Sequence, residues 1–135
     1  MIRAVLEGVA YGLRDSFEII AAMGVEIAEV RASGGGARSE LWRQIQTDVT
    51  GYPHCTVNVD EGPAYGAALL AAVAAGTFGS VEEACAATIR VVDAPAVNAD
   101  DHALYTKWHG LYQQLYPRLK GQFADAAELV EESSG

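Results

Sequence analysis

The chain is 135 residues long and 50% apolar, and its mean hydropathy is +0.10, the profile of at most one soluble globular domain. Its formal charge of −9, with only two lysines (Lys107 and Lys120), excludes a surface built for nucleic acid or anionic membrane. A nucleotide is not excluded, because backbone amides and Mg²⁺ usually hold one. Cys55 and Cys85 stand outside any CxxC pattern, so the expectation is two buried thiols in a reducing compartment, with no metal centre. There is no run of ~20 apolar residues to cross a membrane, and no basic flank leading to a cleavage site. The expected location is cytoplasmic.

In chain order, Ile2, Val5, Leu6, Val9, Leu13, Phe17 and Ile20 recur at spacings of three and four and predict an amphipathic helix stopped near Gly24. No capping residue precedes Ile2, which suggests that the chain was cut from something longer. Val25 to Ala32 reads as a strand. Three glycines, Gly34 to Gly36, lead into a helix from about Ser39, its N-cap, to Thr50, with Leu41, Ile45 and Val49 on one stripe and Gly51 as its stop.

Cys55 to Val59 reads as a second strand. Pro63 starts a helix from about Ala64 to Ala75 so rich in Ala, Leu and Gly that most of its circumference is expected to be buried. Ser80-Val81-Glu82-Glu83 is a capping box opening a short helix to about Thr88. Ile89 to Val92 is extended. Asp100 or Asp101 is expected to cap a last long helix with Leu104, Trp108, Leu111, Tyr112 and Leu115 on its apolar face, interrupted at Pro117. From about Asp125 the tail is expected to be weakly ordered. Two or three short strands beside four helices make too little sheet for a complete α/β domain, again the sign of a fragment.

Most of the chemical information lies in Gly34-Gly35-Gly36-Ala37-Arg38-Ser39. A strand delivering glycines to a helix start lets the backbone approach a ligand closely and aims amides at an anion. A tight turn with no ligand explains the same residues equally well. A dinucleotide fold is a competitor, with Asp60 placed near where a ribose-binding acid would stand, but Ser39 occupies the third glycine position. The second motif, Asp60 to Ala68, is a proline-started helix whose small residues suit a crossing between domains; a plain buried alanine-rich helix fits too. Asp48, Asp60, Glu61, Asp93, Asp100 and Asp101 read as caps or solvated charges. His102 and His109 share a helix face without a third metal ligand, His54 reads as solvent-facing, and Trp42 and Trp108 read as core anchors.

Together the two motifs resemble one superfamily. ASGGGARSELWRQIQTDVTG is similar to the adenosine motif of the actin, Hsp70 and sugar-kinase ATPases, and VDEGPAYGAALLAAV to their second connecting helix. With RAVLEGVAYGLRD ahead of them, residues 1 to 122 resemble the C-terminal part of the FGGY carbohydrate kinases, and GPAYGAALLAA with LYQQLYPRLK resembles the xylulokinase group among them. Thr47 departs from the alanine usual there.

The resemblance implies an α/β fold: part of a ribonuclease-H-like, actin-like ATPase domain, helix-rich with a short incomplete sheet, followed by a flexible acidic tail at 123–135. It implies that Gly34 and Gly35 lie against ATP, that Ser39 makes a polar contact with it, and that Gly36 and Arg38 are weaker candidates. Glu61 to Ala68 would be an interdomain connection alongside the Ser39 helix. The implied reaction passes a phosphoryl group from MgATP to the 5-hydroxyl of D-xylulose, with Mg²⁺, the pentulose and the catalytic base held by segments that cannot be placed on this chain. A non-catalytic actin/Hsp70-like nucleotide-binding module, or a ribulokinase, gluconate kinase or glycerol kinase, remains open, as does a homodimer through exposed sheet edges and apolar helix faces.

Overall fold

The computed structural model describes residues 1–59 and 62–133. Six helices, α1 (Ile2–Ala22), α2 (Glu40–Thr50), α3 (Gly62–Ala74), α4 (Val81–Thr88), α5 (Ala99–Tyr112) and α6 (Leu115–Ser133), accompany three short strands, β1 (Val30–Arg31), β2 (His54–Val57) and β3 (Val91–Asp93). A 3-10 turn at Gly35–Arg38 precedes α2. The sheet order is β1-β2-β3: β1 runs parallel to β2, with Val30 opposite His54 and Arg31 opposite Cys55, and β3 runs antiparallel to β2. The parallel pair is therefore a β1-α2-β2 crossover, the helix-rich, small-sheet arrangement that the sequence predicts.

Local chemistry sets the ends of several helices. At α2 the Ser39 side chain accepts the Trp42 amide at 3.3 Å, and Gly51, at φ 80°, closes the helix through its own amide on Thr47 O. At α4 the capping box forms with one variation. Ser80 Oγ accepts from Glu83 N at 3.1 Å, while the Glu83 carboxylate takes the Gly79 amide at 2.7 Å. The cap of α5 is Asn98, whose Oδ1 accepts from Asp100 N and Asp101 N, and not Asp100 or Asp101. Those two acids sit in the first turn instead, where their charge complements the positive helix end. The last helix breaks at Gln113 and Gln114, so Pro117 falls in the first turn of α6, where no amide donor is required.

The core lies where α1, α2 and α5 meet. Ala10 and Tyr11 from α1, Ile45 and Val49 from α2, and Tyr105 from α5 are buried there, with Leu6, Trp42 and Tyr112 packed around them. Trp42 thus supports the core, but Trp108 is 54% exposed, as are Leu104, Leu111 and Leu115 to a similar degree. The buried face of α5 is the Tyr105 and His109 face, rotated away from the leucines. On α2, Leu41 likewise faces out while Ile45 and Val49 face in.

Three further expectations differ from the structure. Val25 to Ala32 pairs only at Val30–Arg31, because β2 is the single neighbour that it finds among the described residues. The alanine-rich α3 buries only Leu69 and packs on α4, not alongside α2, so its apolar circumference stays largely exposed in this chain. The residues from about Asp125 continue α6 to Ser133, with no buried side chain on that helix. Cys55 and Cys85 are both free thiols, the first buried and the second partly so.

Candidate functional site

A cleft of about 350 Å³ opens at the glycine turn, walled by Ala32 to Gly34 after β1, by Glu40 and Arg43 of α2, by Thr56 and Val57 of β2, and by Val92 and Asp93 of β3. Gly34 lies on its wall with φ 79° and ψ −176°, a conformation that side-chain-bearing residues rarely adopt. The space where a Cβ of Gly34 would project is open to a distance of 4 Å among the described residues, so the backbone faces a cavity and not a packed neighbour. That is the property a backbone-lined ligand cradle needs.

Of the residues that the resemblance places near ATP besides Gly34, Arg38 is on the lining, and Gly35, Gly36 and Ser39 are exposed beside it. Gly35 and Gly36 form the 3-10 turn, with Ala37 N bonded to Gly34 O and Ser39 N to Gly36 O, both at 3.1 Å. A Cβ on Gly36 would meet the Trp42 ring at 3.4 Å, close to ordinary contact. The Ser39 hydroxyl is engaged as the cap of α2. Arg38 lines the cleft. Asp60 and Glu61 lie outside the described residues.

Arg43 was not singled out from the sequence, yet it is the most informative side chain here. It is 5% exposed, lines the cleft, and pairs through Nη1 with Asp93 Oδ2 of β3. The ion pair ties α2 to β3 across the cleft. No periodicity rule flags it, since an arginine in a helix normally reads as a solvated charge.

The histidines also sit differently from their expectation. His54 is in β2 and 3% exposed, stacked on Phe17 with Nδ1 2.9 Å from Tyr52 O, and burial lowers its pKa. His102 bonds Asp48 O at 2.8 Å. His109 does not stand with His102 but between two acids of α1: Nε2 is 2.8 Å from Asp15 Oδ1 and Nδ1 is 3.7 Å from Glu18 Oε1. One donor atom from each of the three lies within 4.8 Å of the others. Gln113 also donates to Asp15 and Arg14 to Glu18, so the group acts as a hydrogen-bonded clasp between α1 and α5.

Beside the clasp, α1 and α5 enclose a second, apolar groove of about 800 Å³ lined by Tyr11, Leu104, Tyr105, Trp108, Leu111 and Tyr112 among others. Burial pushes the Tyr11 phenol up to about 12 and raises that of Tyr105, so both rings stay neutral. The Tyr105 hydroxyl is held between Arg3 and Glu7, each at 3.0 Å. Among the described residues, no helix is long and apolar enough to cross a membrane.

The parallel β1-α2-β2 crossover places a glycine-walled cleft at the entrance of α2, and comparison with known proteins identifies the family to which this fold belongs. Residues 1–75 match the model of the C-terminal domain of the FGGY family of carbohydrate kinases, and the chain belongs to that family. It is 37% identical over 123 residues to the xylulose kinase of Staphylococcus epidermidis, covering 91% of this chain and 25% of that protein. Against the xylulose kinase of Escherichia coli K12 the identity is 38% over 122 residues, or 87% of this chain and 25% of that one. Among solved structures, the xylulose kinase from Rhodospirillum rubrum superposes with a TM-score of 0.77 at 28% identity, covering 90% of this chain and 25% of that one. The gluconate kinase from Lactobacillus acidophilus gives 0.78 at 25% identity, with the same coverages. The fold is thus that of part of a sugar kinase, and the chain spans about a quarter of the length of these relatives.

Proposed function

We propose that this chain supplies the adenosine side of the ATP site of a kinase that phosphorylates D-xylulose on its 5-hydroxyl. One observation carries the reading: Gly34, held at φ 79°, presents bare backbone to a cleft at the entrance of α2. Gly34 and Gly35 would lie against the nucleotide, with Gly36 and Ser39 holding the turn that aims them. ATP supplies the phosphoryl group, and Mg²⁺ bound mainly by residues beyond this chain would neutralise the charge that develops during transfer. Glu61 to Ala68 would form the connection to a second domain that carries the sugar.

The choice of xylulose rests on the xylulose kinases among the relatives. The ribulokinase of Mycolicibacterium smegmatis, at 42% identity over 84 residues, keeps a second pentulose in play. A cytoplasmic location goes with this reading, as does a kinase segment at 1–122 followed by an acidic tail at 123–135 that α6 enters.

By itself the chain should not turn over substrate. A transfer site without its base, metal-binding carboxylates and sugar pocket lacks the interactions that lower the barrier. A coupled ADP-release assay with D-xylulose on the chain is expected to stay at background, and enzyme-like turnover would refute the expectation that the chain is inactive by itself. In a thermal-shift comparison ATP should stabilise the chain more than NAD; the reverse order would favour a dinucleotide fold. The exposed faces of α1, α3 and α5 should also drive self-association, and a monomer peak in size-exclusion chromatography at micromolar concentration would count against it.

A further inference from the structure

Arg43 is a buried cation with an incomplete set of partners. Its Nη1 meets Asp93 Oδ2, but among the described residues its Nε–H, fully shielded from solvent, has no acceptor. The two partners are also unequal, the Arg43 side chain being 7% exposed and that of Asp93 54%. A guanidinium buried to that degree cannot return to water and needs an anion beside it at all times. Asp93 has no such constraint. Its carboxylate reaches solvent from where it stands, and an exposed carboxylate gives up an ion pair at little cost.

Both residues line the cleft that begins at Gly34, and the positive end of the eleven-residue α2 opens on the same side. Among the described residues two arginines and two acids line it, Arg38 and Arg43 with Glu40 and Asp93, so their formal charges balance.

We infer that Arg43 is a phosphate-binding residue of this cleft and that Asp93 holds its place while the cleft is empty. A phosphate group of an adenine nucleotide takes the place of Asp93 at Arg43 Nη1, and Asp93 moves out to solvent. Arginine is suited to the exchange because its planar fork accepts carboxylate and phosphate in the same geometry. The inference rests on the nucleotide reading above and adds to it the group that the cleft recognises.

The test is calorimetric titration of the chain with adenosine, AMP and inorganic phosphate. AMP should bind at least tenfold more tightly than adenosine. Asp93→Asn, which removes the internal competitor, should tighten AMP severalfold and leave adenosine unchanged. Arg43→Met should reduce AMP to the affinity of adenosine, with Arg43→Lys in between. If Arg43→Met fails to fold, the Asp93→Asn arm decides alone, because a purely structural ion pair predicts equal or weaker AMP binding in that variant. Equal binding of adenosine and AMP would overturn the inference and leave the nucleotide reading standing. Inorganic phosphate binding as tightly as AMP would overturn the nucleotide assignment of the anion site. Absence of binding by all three would overturn both readings.

Discussion

Asp48 Oδ1 accepts the Asn98 amide hydrogen at 2.8 Å, joining the last turn of α2 to the start of α5 across fifty positions of sequence. The carboxylate is 3% exposed and also takes the Gln44 side-chain amide, while the backbone carbonyl of Asp48 receives His102. Asp48→Ala removes the acceptor of the Asn98 amide and one of the two acceptors of the Gln44 amide and should cost about 1 kcal/mol. Asp48→Asn, which keeps an acceptor, should cost less. Urea denaturation of the two variants checks the order.

Ser39 tests whether a residue proposed for the nucleotide site also works in the fold. Its hydroxyl caps α2, so Ser39→Ala should lose ~1 kcal/mol of stability even without nucleotide. Ser39→Asp, which also caps, should restore the thermal midpoint. Unchanged stability in Ser39→Ala would show that the cap is not formed in solution.

Two glycines should respond very differently to alanine. Gly51 has φ 80°, and a Cβ there would sit 2.9 Å from His102 Cε1, on a ring already bonded to Asp48 O. Gly51→Ala combines left-handed strain with that clash and should cost roughly 2 kcal/mol or more. Gly36 is outside the positive-φ region and its Cβ would meet only the Trp42 ring at 3.4 Å. Gly36→Ala should therefore change stability by less than about 1 kcal/mol. Chemical denaturation of both separates the cases.

His54 should make stability depend on pH. Burial lowers its pKa in the folded chain below the ordinary 6.5. Above pH 6.5 both folded and unfolded states hold it neutral, and its contribution is complete. Below that value the unfolded state takes up the proton first, so stability falls as pH falls toward the folded pKa, by up to ~1.4 kcal/mol per unit. Carboxylates add their own loss at lower pH. The relevant quantity is the difference between the parent chain and His54→Gln from pH 7.5 to 5, which should shrink as the pH drops. A constant difference would contradict the account.

The legible part of this molecule was local. Gly51, Ser80 and the glycine run announce turns and caps through backbone chemistry that operates within a few residues, and α2, α4 and their ends follow from it. What the sequence hides is which face of a helix meets another. Leu104, Trp108 and Leu111 look like a core stripe, but α5 turns Tyr105 and His109 inward because Asp15 and Glu7 of α1 offer them hydrogen bonds. His54 and Arg43 were missed for the same reason: their burial depends on strands and helices that arrive from elsewhere in the chain. The glycine cleft was legible as a turn with a vacant side, while its arginine floor needed the β1-α2-β2-β3 arrangement to bring Asp93 to Arg43.

The most direct measurement is an amide correlation spectrum of the isotope-labelled chain titrated with MgADP. The account predicts progressive shifts at Gly34, Gly35, Gly36 and Ser39, with the α1/α5 groove around Trp108 and Leu111 unmoved. Shifts confined to that groove, or a spectrum unchanged at millimolar nucleotide, would contradict it.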